Sequence, residues 1–269
     1  VFITAAAEDV FQGELFAENP SSPTTPTASG ANAIAIGDNT TASGEDAVAI
    51  GDNIVASGLR SISLGGFSDA TGDYSVALGA GAQALGENAV AIKGNANYQR
   101  TTAIGMNGGG GKSIAGVSNT NTGGATALGG SYASGVDSFA AAIANNTSSY
   151  GATGQESVAI GKQAKATGIG SLALSANRFG PATSTSNGAV AIGDSVTASG
   201  SLSLAMGYNT TASASSAIAI GSGITNSTAN QVVLGGTTQQ VKISDTYTLP
   251  TTDGTNGQVL TTDGSGAVT

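Results

Sequence analysis

A five-residue phrase, small–aliphatic–small–aliphatic–Gly, recurs along this chain, mostly every 14 residues. It reads Ala33-Ile34-Ala35-Ile36-Gly37, then Ala47-Val48-Ala49-Ile50-Gly51, Ser61-Ile62-Ser63-Leu64-Gly65 and Ser75-Val76-Ala77-Leu78-Gly79. Later copies are Ser157-Val158-Ala159-Ile160-Gly161, Ala189-Val190-Ala191-Ile192-Gly193 and Ala217-Ile218-Ala219-Ile220-Gly221. A short fixed period is the signature of a solenoid, in which each repeat stacks on the one before. Solenoids offer long surfaces rather than a single cleft, which directs the search for function.

Within residues 47–60, Ala47 to Ile50 alternate small and large, the period of a β-strand. Gly51-Asp52-Asn53 is a turn sequence. Ile54-Val55-Ala56-Ser57 reads as a second short strand, and Gly58-Leu59-Arg60 turns the chain back. Two strands and two turns fill the unit and leave no room for a helix. The expected fold is therefore all-β, a parallel β-roll of about 14-residue coils.

Stacking aligns Ile34, Val48, Ile62, Val76 and Val90 in one file and Ile36, Ile50, Leu64, Leu78 and Ile92 in another. On hydrophobicity alone these files form the interior. The facing strand contributes Ala42, Ala56, Ala70, Ala84, Ala166, Ala198 and Ala212. The residue before each, such as Thr41, Val55, Asp69, Gln83 or Lys165, is varied and is assigned to solvent. The small residues of the first strand then point out of the roll. These are Ala35, Ala49, Ser63, Ala77, Ala91, Ala159, Ala173, Ala191 and Ala219. Outward strands normally carry long polar groups, so this Ala and Ser file is the candidate contact of a homotrimer.

Composition narrows the function classes. Charged residues are 9% of the chain, against roughly 25% in an ordinary domain. The net charge is −9, with only eight basic residues, all scattered. Nucleic-acid binding needs a dense basic stripe, so it is not expected. The absence of Cys and His excludes thiol chemistry, His-based triads and His-ligated zinc. No apolar run approaches the ~18 residues of a membrane helix, and membrane insertion is not expected.

The phrase Ala-Val-Ala-Ile-Gly-x-x-x-x-Ala-x-Gly resembles the head repeat of YadA-type trimeric adhesins over most of residues 31–235. The resemblance implies a left-handed parallel β-roll, three chains about a three-fold axis, and attachment to surfaces and host molecules. It also places small first-strand residues at the subunit contact. Residues 249–269, with Thr-Thr-Asp-Gly at 251–254 and 261–264, are similar instead to a segment of phage tail-fibre and appendage proteins. No a/d heptads of a stalk appear. Together these features favour a virion fibre, with a bacterial trimeric autotransporter adhesin at the cell surface as the alternative. The partners implied are further copies of the chain, other fibre or virion proteins, and a host-surface glycan or protein.

Four segments follow. Residues 1–19 carry three of the six Phe and read as a docking or capping segment; 20–30 contain Pro20, Pro23 and Pro26 and read as a linker. Residues 31–235 are the repeat array, and 236–269 a C-terminal segment of turns with a short strand at Val241-Lys242-Ile243. The repeat breaks after Ile92 and after Leu174. Insertions in solenoids collect on one face, often the binding face. Tyr98, Arg100, Tyr150, Arg178, Phe179 and Tyr208 lie in or near these irregular coils and are the candidate receptor contacts.

Chemistry is sparse. Gly111-Lys112-Ser113 resembles the end of a phosphate loop, but Met106 stands where the leading Gly is required. The Gly-Asp-Asn turns at 37–39 and 51–53 supply too few oxygens for calcium. Acidic residues are isolated on turns, against the paired carboxylates of a glycan-degrading fibre. An ice-binding face needs regular Thr pairs, and the file of Thr41, Thr197 and Thr211 is interrupted by Val55, Asp69, Gln83 and Lys165. No enzyme activity and no cofactor or metal are expected.

Overall fold

In the computed structural model the described residues are 24–105, 114–115, 124–142, 149–176, 178–236, 239, 241–243, 247–248 and 261. Each unit contributes two short strands, and the strands sort into two parallel 14-stranded sheets. One sheet runs from Ile34–Ile36 to Val232–Leu234, and the other from Thr27–Ala28 to Thr225–Asn226. Described residues contain no helix. At ~4.8 Å per strand, each sheet is about 60 Å long. The repeat phrase pairs with itself in register, as in Val48↔Ile62, Ala49↔Ser63 and Ile50↔Leu64. The array starts slightly earlier than the sequence suggests, because Thr27 and Ala28 already pair with Thr41 and Ala42.

The two faces of the phrase are reversed from the hydrophobicity-based expectation. Ala35, Ala49, Ser63, Ala77, Ala91, Ala159, Ala173, Ala191 and Ala219 are each 0% exposed within a single chain. They form the interior, so they cannot be the trimer contact. The Ile, Val and Leu files instead face outward, mostly half-buried, and Ile50, Ile104 and Ile160 retain 39%, 37% and 38% exposure. The reason is volume. A unit of two short strands closed by two tight turns encloses a slot lined by four inward residues per coil. In one coil these are Ala47, Ala49, Ile54 and Ala56, all fully buried. The facing Ala file lies inward, as expected, with Ala42, Ala56, Ala70, Ala84, Ala166, Ala198 and Ala212 all buried. With both sheets presenting Ala, the slot has no room for a pair of Ile files as well. Larger groups enter mostly at one end, where Thr40, Ile54, Val196, Thr210 and Ile224 stand at or just before the start of the short strand.

Backbone geometry sets this parity. Both turns of a typical coil hold a residue at φ near +55°, such as Asp46 and Asn53, or Arg60 and Phe67. This left-handed conformation is rare outside Gly, Asn and Asp. Here it aims the backbone N–H at the preceding coil: Asp46 donates to the Ala31 carbonyl, Asn53 to Asp38 and Phe67 to Asp52. Gly44, Gly58 and Gly72 are required for a different reason. A Cβ on any of them would collide with the carbonyl of the equivalent Gly one coil on.

Side chains reinforce the ladder. Asn32 donates to Asp46 at 3.1 Å, Arg60 Nε reaches the other Asp46 oxygen at 3.3 Å, and the Arg60 guanidinium lies 5.9 Å from the Tyr74 ring centroid. Asn39 donates to Asn53 at 2.7 Å. The Gly-Asp-Asn turns thus spend their polar groups on one another and on the backbone, where Asp38 accepts the Thr24 N–H at 2.7 Å. At the far end Asn226 replaces the inward Ala and closes the roll. Its Nδ2 donates to the Ile218 and Gln231 carbonyls at 2.9 and 2.8 Å. Beyond it, Lys242–Ile243 and Tyr247–Thr248 form a two-stranded antiparallel pair.

Candidate functional site

Two features stand out on the surface of the roll. The first is the outward face of the sheet built from the repeat phrase. Its rows continue through every irregular unit. Val90 pairs with Thr102 across 12 residues, Thr102 with Thr126 across 24, Phe139 with Val158 across 19 and Leu172 with Val190 across 18. Insertions are therefore expelled from the sheet while the outward file stays in line. The result is an apolar strip the length of the roll, far larger than the scattered apolar groups of an ordinary soluble surface.

The second feature lies at the second break. Three strands there lengthen to five residues, Val190–Asp194, Leu204–Tyr208 and Ile218–Ser222, with Asp194↔Tyr208↔Ser222 in register. The Asp194 carboxylate accepts the backbone N–H groups of Arg178 (3.1 Å), Phe179 (3.0 Å) and Gly180 (2.9 Å). Three consecutive amides converge on one carboxylate, which anchors the inserted loop to the strand. Desolvation pushes the Asp194 carboxyl up, but the Phe179, Gly180 and Arg178 amides and the Arg178 charge together outweigh it and hold it below the ordinary carboxylate value.

On this anchor the Phe179 and Tyr208 rings meet edge to face, with centroids 5.5 Å apart at 69°. The Arg178 guanidinium sits over the Phe179 ring, 5.1 Å from its centroid. Both rings remain open, Phe179 at 64% and Tyr208 at 45% exposure. Tyr208 continues the outward row of Leu204 and Met206, so the cluster lies at the margin of the aliphatic strip.

Half of the candidate receptor residues thus come together, namely Arg178, Phe179 and Tyr208. Tyr98 and Arg100 belong to a separate coil near the first break and do not contact this cluster. Arg100 is a turn residue at φ 57° whose N–H is bonded to the Glu87 carbonyl. Tyr150 is half-buried and packs against the Ala interior, so its bulk serves the core rather than the surface. Sequence reasoning missed Asp194. The available signal was its place directly after the phrase Gly193, where the equivalent Asp38 also collects a backbone N–H from the coil before. Residues 1–19, the Gly111-Lys112-Ser113 stretch and the Thr-Thr-Asp-Gly turn at 251–254 lie outside the described residues. Among the described residues no group of His, Cys, Asp and Glu is placed to hold a metal ion, and no helix is long and apolar enough to cross a membrane.

The YadA head domain repeat family matches residues 28–53, 56–82, 70–92, 152–174 and 198–223. The chain carries YadA head repeats. No curated protein matches it. In these YadA repeats the matched segments are the regular 14-residue coils, and the matches stop at both irregular stretches. The aromatic cluster thus combines Arg178 and Phe179, which lie outside every matched segment, with Tyr208, which lies within one.

Proposed function

We propose that this chain is the head of a homotrimeric, non-enzymatic attachment fibre, with its three copies joined through the aliphatic strip. The observation that carries the reading is the outward strip itself. In a single chain it leaves two rows, mostly Ile, Val and Leu with Thr102, Thr126, Phe139 and Ala141 near the middle, at a polar solvent over some 14 strands. Such a patch calls for a permanent partner. A second copy is the natural one, because the strip is uncharged and stays in register along its whole length. Three copies rather than two follows from the YadA head architecture, whose rolls stand about a three-fold axis. Residues buried within one chain, Ala35 through Ala219, build the roll and leave the contact to their neighbours Ile36, Ile50, Leu64, Leu78, Ile160 and Ile192.

We place the fibre on a virion, a reading supported by residues 249–269 and their likeness to tail-fibre segments. The YadA head repeats support a second reading, the head of a bacterial surface adhesin. Both are attachment devices, and they differ in what carries the head. Sequencing beyond Thr269 separates them: a self-cleaving trimerisation chaperone means a virion fibre, and a coiled-coil stalk with a membrane barrel means an adhesin. Light scattering tests the trimer, with a mass three times the 25.7 kDa of one chain expected. A monomer at micromolar concentration would refute it.

A further inference from the structure

We infer that the Arg178–Phe179–Tyr208 cluster is a binding subsite for an acidic sugar, a pyranose ring that bears a carboxylate. The inference rests on the attachment reading and specifies its ligand. Three observations carry it. The two rings are open, at 64% and 45% exposure, although each would gain by burial. Aromatic faces stack on the C–H face of a pyranose, while the Tyr hydroxyl remains free to bond to its rim. Arg178 makes no ion pair among the described residues, and its planar fork suits the two oxygens of a carboxylate. The neighbouring acid, Asp194, is engaged by three backbone amides and makes no direct ion pair with the guanidinium, which it attracts only through space.

Scale favours a sugar over a protein. A stable protein partner needs on the order of 800 Å² on each side, whereas this cluster is three side chains on one inserted loop and the adjoining strand. The exposed Asn209 and Ser222 beside Tyr208 add hydrogen-bonding groups of the kind a hydroxylated ring uses. The loop is also held in advance. Its backbone is fixed by Asp194 and its rings by each other, so little ordering is left for the ligand to impose.

The test uses the full trimeric chain and two acidic probes, sialyllactose and a glucuronic-acid oligosaccharide, with lactose as the neutral comparator. Binding is followed by ligand-observed NMR. At least one acidic probe is expected to bind, and to do so more weakly as salt rises; lactose is not. Phe179→Ala and Arg178→Ala should each weaken binding on the order of tenfold or more, and Arg178→Lys should recover only part of the loss. Both side chains are exposed, so circular dichroism and trimer mass should not change. Failure of both acidic probes to bind overturns the subsite, as does binding that survives both substitutions. A changed trimer mass in either variant also overturns it, because the cluster would then be covered by a second copy. Attachment to whole cells that persists in the Arg178→Ala, Phe179→Ala double variant would remove this subsite and leave the attachment reading standing.

Discussion

Adjacent residues of one strand should respond in opposite ways to the same substitution, and Ala159 and Ile160 make the sharpest pair. Ala159 is fully buried between Ala140 and Ala173 of the neighbouring coils, inside a slot bounded by backbone. An Asp there places an unpaired carboxylate in the interior of every chain, at a cost of several kcal/mol. Ile160 keeps 38% of its surface in the single chain. Burying that remainder in a trimer contributes about a third of the ~1.5–3 kcal/mol of full burial, or roughly 0.5–1 kcal/mol per chain. An Asp at 160 forfeits this and adds three carboxylates to an apolar contact, again several kcal/mol each if they remain charged. In the lone chain the same Asp loses the covered part of the Ile160 side chain and its strand preference, roughly 2–3 kcal/mol together, but its carboxylate reaches water. Ile160→Asp should therefore reduce the mass in light scattering toward 25.7 kDa while the β circular-dichroism signal persists. Ala159→Asp should lower the melting temperature and the β signal together. The opposite pattern, a folded monomer from Ala159→Asp and an unaltered trimer from Ile160→Asp, would refute the assignment of the two faces.

Further tests address the interior and the anchored loop. The buried hydroxyls of Ser61, Ser75, Ser138 and Ser171 have no hydrogen-bond partner, and Ala occupies the equivalent position in other coils, so Ser→Ala at these sites should stabilise by about 1 kcal/mol. Ser157 and Ser203 donate to the Gly154 and Gly200 carbonyls at 2.6 and 2.7 Å; the same change there should destabilise by about 0.5–1.5 kcal/mol in denaturant unfolding. Gly58→Ala should cost more than 2 kcal/mol or so, because the new methyl meets the next coil's backbone, which has no room to give. Gly170→Asn should be nearly neutral by the same measurement, since nothing lies within 4 Å of its Cβ position and Asn tolerates its φ of +61°. Asp194 has a folded-state pKa below its ordinary 3.8. Its contribution is thus complete above that value and lost as pH falls through the lower folded value. Amide exchange at Arg178, Phe179 and Gly180, corrected for the intrinsic rate, should accelerate below about pH 4, and Asp194→Asn should reproduce much of the effect at neutral pH.

The roll, its coil length and its strand positions were legible in the sequence because they depend on spacing. Gly and Asx residues recur at the turns, and an alternation of period two leaves only strands between them. The register across the breaks was legible for the same reason, since Ile104 and Leu128 resume the row after irregular lengths. The facing of each strand was not. Alternation says that Val48 and Ala49 lie on opposite sides and is silent on which side is inside. Hydrophobicity is the usual guide, and here it points the wrong way. The gathering of Arg178, Phe179 and Tyr208 was half legible. Composition marked all three, but bringing residue 179 to residue 208 required the path of an inserted loop and its capture by Asp194.

The inverted facing has one cause and one consequence. A coil of about 14 residues can close only around small side chains, so the interior is assigned by volume and filled with Ala, Ser and Thr. Such an interior buries little apolar surface per residue. The large aliphatic groups, which in a wider fold would fill the core, are left on the outside in rows interrupted only near the middle, at Thr102, Thr126 and Ala141. A chain with this pattern has divided its hydrophobic surface into two halves, a small one that stacks its own coils and a large one reserved for other copies. Assembly then adds stability to a roll that closes on its own, so the stability of the trimer should rise with chain concentration, and substitutions in the aliphatic rows that release the single chain should remove that dependence.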